Sequence, residues 1–201
     1  MSKWIGDRIS TEDHERSTTI IIFPKRKRWM DILFTAWSIG FTFVGLYMIY
    51  LLFFGGVNEL NTGENYDEEV KRQQVIYLII FVSFWAYFEV STMKALIWTL
   101  FGKELIMIDA EALNVKRAIF SYGRSNRYFY ENIKKLRVEK DDATSLNKFL
   151  DRAYWSPGSD TVKLEYLGKN KSFGRKLDEK DATLLLRFIN DRIKKNRKKG
   201  S

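Results

Sequence analysis

The sequence predicts a membrane α-helical hairpin of two transmembrane helices, joined to a small cytoplasmic α+β domain in which a β roll or sandwich is closed by a C-terminal helix. Three observations carry this prediction. Ile32–Phe54 runs for 23 residues without a charge. A second apolar run starts near Val75, meets Glu89 and Lys94, and resumes to Phe101. Beyond Gly102 the long apolar runs give way to short alternating ones, which end in one amphipathic segment.

Residues 1–28 form a cytoplasmic N-terminal segment. Within it the β-branched run of Ser17–Pro24 is too short to span a bilayer. It predicts an edge strand at 18–23 of the cytoplasmic domain, with a course along the membrane as the alternative. The hairpin occupies 29–101. A bilayer core about 30 Å thick needs about 20 helical residues, and Ile32–Phe54 exceeds that. A cleaved signal would have an apolar region of about 7–15 residues; this run is longer and ends in a poor cleavage site. Gln73–Met93 is the second span, and Lys94–Phe101 its interfacial continuation with Trp98 at headgroup level.

Orientation follows from flanking cations, which favour the cytoplasmic side. Residues 1–31 carry seven Lys/Arg, and residues 102–201 carry 24 against 14 acids. The 55–72 loop has five acids against Lys71 and Arg72. The loop is therefore expected outside and both termini in the cytoplasm, in an inner membrane. Lys25, Arg26, Lys27 and Arg28, with Trp29, pin the cytoplasmic end of the first helix. Each cation near an anionic inner leaflet is worth about 1 kcal/mol, and topogenesis alone also accounts for the cluster. Glu89 is the one carboxylate inside a span, where a charge at the helix centre costs roughly 3 kcal/mol on insertion scales. Pairing with Lys94, or contact with another subunit, would meet that cost.

Residues 102–193 form the cytoplasmic domain. Glu104–Asp109 and Ala112–Phe120 read as strands around a tight turn, and "SYGRSN" is a turn cluster. "RYFYENIKKLRVEK" leads as a strand into Ile133, Leu136 and Val138. Thr161–Gly168 alternates and returns through Gly-Lys-Asn-Lys as a hairpin. Asp178 is a good N-cap, with Glu179 and Asp181 in the first turn. Ala182, Leu185, Leu186, Ile189 and Ile193 then share one helical face. Residues 194–201 are a basic tail. In the irregular stretch before Asp160, Leu146, Phe149 and Leu150 suit a short helix. Tyr154 and Trp155 form an aromatic lip, a buried anchor or a partner contact.

Short strands closed by one amphipathic helix, with "GKELI", "NIKKLRV" and "FGRKLDEKDATLLLRFI" in that order, resemble bacterial two-helix membrane proteins that carry a pleckstrin-homology-like domain. The resemblance spans roughly residues 29–193, and the layout is also similar to the two-helix photosystem I assembly factor. It implies a non-enzymatic fold pattern with no reacting site. The chain departs from it in its long 140–160 insertion.

The absence of cysteine excludes thiolate zinc sites and cysteine nucleophiles, and a single histidine, His14, removes most His-based chemistry. There is no Walker loop, nucleophile elbow, HExxH or Asp-rich metal loop. Arg8 and His14 have five residues between them, as in some RNA-cleaving helical domains, but on a polar stretch with no helical apolar face. No enzyme activity, cofactor, metal or nucleic-acid partner is expected. Lys116, Arg117, Arg124 and Arg127 flank one turn as a cationic surface for a partner or ligand. The leading expectation is an integral membrane scaffold, an accessory or assembly subunit that docks a larger membrane complex. The alternative is a sensor–effector whose β domain binds a small anion such as a nucleotide signal and whose helices form homo-oligomers.

Overall fold

The structure is a computed structural model and describes residues 2–15, 17–54, 68–139, 153–154, 156 and 158–199. Residues 55–67 of the loop, the Leu146, Phe149 and Leu150 segment, Trp155, and the end of the basic tail lie outside the described residues. The chain divides into a sheet unit, Met1–Arg26 with Ile97–Ser201, and a helical unit, Lys27–Leu96.

In the helical unit, α1 (Arg28–Phe53) and α2 (Glu68–Phe101) are long and apolar enough to cross a membrane. The 34 residues of α2 would extend about 51 Å at 1.5 Å per residue. The last turn of α2 belongs to the sheet unit. The two helices meet where Gly45 faces Trp85: a Cβ there would collide with the indole ring. Trp85 Nε1 donates to the Phe41 carbonyl at 3.0 Å. Small residues allow this close approach between apolar helices, where lipid offers no hydrophobic drive to pack. Phe43, Tyr47, Phe84, Tyr87 and Phe88 remain exposed on the outer faces.

The sheet unit contains β1 (Ser2–Ile5), β2 (Ile9–Asp13), β3 (Thr18–Ile22), β4 (Gly102–Ile108), β5 (Ala112–Ile119) and β6 (Ser125–Phe129) in one antiparallel sheet, ordered as numbered. A short 3-10 turn, Tyr130–Asn132, leads to a second antiparallel sheet of β7 (Ile133–Val138), β8 (Asp160–Tyr166) and β9 (Lys169–Arg175). Helix α3 (Glu179–Lys199) follows. The alternation of β3 turns Ile20 and Ile22 inward, and that of β4 turns Ile106 and Ile108 inward. They meet Val162, Leu164 and Phe173 from the second sheet and Ala182, Leu185 and Ile189 from α3 in one core. Leu186 and Ile193 lie at its margin.

Three expectations are corrected. The strand at 18–23 is not an edge strand. It lies inside the sheet, between β2 and β4, because the polar N-terminus folds into a β1–β2 hairpin that covers its free side. The N-terminal segment is therefore not a separate cytoplasmic segment but part of the sheet unit, with the helical unit inserted between the paired strands β3 and β4, where Ile22 stands opposite Glu104. The second hairpin turns at Leu167–Gly168, not through Lys169 and Asn170, which already belong to β9. Both turn residues have positive φ, 50° and 73°.

Candidate binding cleft

Arg117 organises the site. On β5 it stands directly opposite Glu104 of β4. Its Nε donates to Glu104 Oε1 at 3.1 Å, and its Nη2 donates to Asp160 Oδ2 at 2.5 Å and to the Ser172 carbonyl at 3.2 Å. One guanidinium thus ties the first sheet to both strands of the β8–β9 hairpin. Asp160 Oδ2 also accepts from Ser172 Oγ at 2.7 Å. Glu104 is almost wholly buried, with 1% exposure, and its second oxygen accepts from the amides of Gly174 at 2.7 Å and Arg175 at 3.2 Å. Burial is the largest influence on the Glu104 carboxyl and pushes it above the usual carboxylate range; Arg117 pulls against this, while Asp160 adds to the rise. Burial also works against the Arg117 charge, but Asp160 and Glu104 outweigh it and hold the guanidinium above its ordinary value.

Outward from this knot, an open cleft of about 680 Å³ lies between β5–β6 and β8–β9. Arg117, Arg124, Arg127 and Lys171 line it, and no carboxylate among the described residues does. Tyr128 and Tyr166 also line it and meet edge to face with ring centres 5.1 Å apart. Arg127 lies over the Phe129 ring, with Asp109 and Glu111 carboxylates 3.7 Å away. Arg124 and Lys171 are exposed and make no ion pair among the described residues. The β5–β6 turn that carries Arg124 is tightly specified. Phe120 and Ser121 hold positive φ, and a Cβ at Gly123 would collide with the Arg117 carbonyl. L-residues in this region are strained.

Of the basic residues singled out by sequence, Arg117, Arg124 and Arg127 share this cleft. Lys116 does not line it: its Nζ reaches back to the Ser121 carbonyl at 3.1 Å. Lys171 was not anticipated, because its place opposite β5 depends on pairing between distant segments.

Elsewhere, Lys25, Arg26, Lys27, Arg28 and Trp29 are exposed, and Lys25 pairs with Asp178 at 3.2 Å. Trp98 lies under the Arg175 guanidinium at 4.6 Å. Tyr154 joins Lys25 and Trp98 around a second, smaller cavity. Glu89 accepts from Thr42 Oγ1 at 2.7 Å and makes no ion pair among the described residues, while Lys94 is exposed. Among the described residues no group of three acids or histidines could hold a metal ion. Comparison with protein-family models, with curated proteins and with solved structures finds no match.

Proposed function

We propose that the chain is a non-enzymatic integral membrane scaffold, an accessory subunit of a larger membrane complex, anchored in a cytoplasmic membrane by α1 and α2 with both termini inside. On this reading the sheet unit is a pleckstrin-homology-like domain: strands β3–β6 make its first sheet, β7–β9 its second and α3 its closing helix, with β1–β2 added and the membrane hairpin inserted between its first two strands. The observation that carries the scaffold is the partition of the sheet unit. Its interior is filled by side chains, with the buried carboxylate Glu104 fully engaged, while Arg124, Arg127 and Lys171 face outward around an open cleft. Such a surface fits an acidic face of a partner protein, because complementary charge steers and orients docking.

The test has two parts. A cysteine in place of Ser172 should be shielded from an impermeant thiol reagent in intact cells, and one in place of Asn61 should react; the reverse pattern overturns the orientation. Co-purification of a larger complex in mild detergent should weaken in a double Arg124→Glu, Lys171→Glu variant. The same cleft favours a second reading, a sensor of a small anionic ligand, because several cations and two tyrosines converge on it. That reading expects only homo-oligomers in mild detergent, and a ligand-induced thermal shift that Arg124→Glu abolishes.

A further inference from the structure

A second cationic site lies apart from the cleft. A cavity of about 60 Å³ is lined by Arg8, Lys25, Trp98, Tyr154, Arg175 and Lys176, among others; no carboxylate among the described residues lines it, although Lys25 pairs with Asp178 at 3.2 Å. Four cations thus converge on a space that holds about four to six water-sized groups at 10–15 Å³ each, the size of a phosphate with its oxygens.

The way these cations are held matters more than their number. Arg8, 8% exposed, donates to the carbonyls of Phe23 at 2.9 Å, Lys176 at 2.5 Å and Arg175 at 3.4 Å. Its hydrogen bonds therefore fix it in place without cancelling its charge. Burial pushes its pKa down, with Asp178 and Asp181 opposing. Lys176, in a left-handed backbone conformation at φ 51°, donates to the carbonyls of Ala153 at 2.7 Å and Ser156 at 2.5 Å. Arg175 lies over Trp98, and its buried Nε has no hydrogen-bond partner among the described residues. That Nε forms an ion pair at 4.0 Å with Asp160 Oδ1, itself buried and without a hydrogen bond among the described residues, while the other oxygen of Asp160 serves Arg117 and Ser172. Arg8, Lys25, Arg175 and Lys176 thus bring four positive groups to one wall, where an anion with several acceptor oxygens would gain charge-assisted hydrogen bonds.

We propose that this cavity binds a phosphate-bearing group. Lys25 stands shortly before α1 begins at Arg28, and Trp98 and Thr99 lie in the last turn of α2. In a spanning hairpin such residues lie at headgroup depth, where tryptophan is enriched, so the phosphodiester of an anionic lipid is one source. A soluble phosphate is the other. Only the lipid source rests on the membrane reading above.

The test uses the full chain, in nanodiscs of phosphatidylcholine with or without phosphatidylglycerol, with inorganic phosphate as the soluble probe. Bound lipid is counted by native mass spectrometry after release, and phosphate binding is read from the thermal midpoint. Arg175→Gln and Lys25→Gln should each weaken retention of phosphatidylglycerol, or the phosphate-induced shift, on the order of tenfold, the equivalent of one charge-assisted hydrogen bond. Arg124→Gln, in the other cleft, should change neither. Dependence in the lipid arm identifies a headgroup site, and dependence in the phosphate arm alone identifies a soluble one. Lys25 is exposed, so its variant decides the matter if Arg175→Gln melts early. Wild-type behaviour of the Lys25 variant in both arms would overturn the proposal, whatever the insertion of the helices.

Discussion

The two units treat a carboxylate in opposite ways. Glu104, in the sheet unit, has a guanidinium on one oxygen and two backbone amides on the other. Glu89, in the helical unit, has one hydroxyl on one oxygen, and its other oxygen is buried with no hydrogen-bond partner among the described residues. Sheets offer many directed donors: strand-end amides, cross-strand cations and turn backbone. Two helices whose amides are spent within themselves have only side chains to offer, and here that is one threonine. Satisfaction of a buried charge is thus set by the architecture around it. A carboxylate left half-satisfied in an apolar unit is the place to look for an additional partner.

The largest effect should appear on deleting Glu104. Glu104→Ala leaves the Gly174 and Arg175 amides without their acceptor and Arg117 with Asp160 as its one remaining carboxylate, and should cost about 1–3 kcal/mol for each buried group left unpaired. Denaturant unfolding of the full chain, with hydrogen exchange at the β9 amides as a local probe, measures it. A loss under about 1 kcal/mol, the size of an exposed ion pair, would break the comparison. Leu185→Ala calibrates the packing term of the same unit. Leu185 is fully buried, so the variant should lose about 2–5 kcal/mol. The fragment 102–201 is unsuitable for either measurement, since it lacks β1–β3.

In the helical unit the effects should be small. Thr42→Val removes the one hydroxyl that serves Glu89, and interhelical hydrogen bonds of this kind average about 0.6 kcal/mol. Steric-trap unfolding in bicelles reads it, and a loss as large as that of Glu104→Ala would erase the contrast. The smallest effect concerns Asp13, which accepts from Thr18 at 2.9 Å and from Arg192 of α3 at 2.5 Å. Burial alone would raise the Asp13 pKa, but Thr18 and Arg192 outweigh it and hold it below the ordinary 3.8. Its folded pKa is therefore the lower one. The stability it adds is full above pH 3.8 and is lost as pH falls through the folded value. The thermal midpoints of wild type and Asp13→Asn should differ slightly at neutral pH and converge in that acid range. A constant difference would remove Asp13 from the pH response.

Local patterns in the sequence were readable, and distant pairings were not. The apolar face of α3 at Ala182, Leu185 and Ile189 is fully buried, because a 3.6-residue period is visible within a dozen residues. The long apolar helices were legible for the same reason. The β1–β2 hairpin was missed because Trp4, Ile5 and Ile9 are too few to show alternation; the glycine between two isoleucines in "IGDRI" was the available signal. Arg117, Arg124 and Arg127 could be grouped because one hairpin carries them. Arg8, Lys25, Trp98 and Arg175 come together only through the pairing of β3 with β4 and the docking of β9, neither of which leaves a trace in periodicity.

The insertion of the hairpin between β3 and β4 also has a temporal meaning. About 80 residues separate Ile22 from Gly102, roughly 4–16 s of synthesis at about 5–20 residues per second. During that interval β3 exists without the strand it will face across the core sheet. Its Thr-Thr-Ile-Ile-Ile run is an uncharged, β-branched segment, and an unpaired edge of that kind recruits foreign strands. Strands β1 and β2 leave the ribosome first and pair along its other side, in the register that puts Ile9 opposite Ile22. Pairing in that register would leave one side of β3 open, rather than two, until both helices have been made and β4 follows.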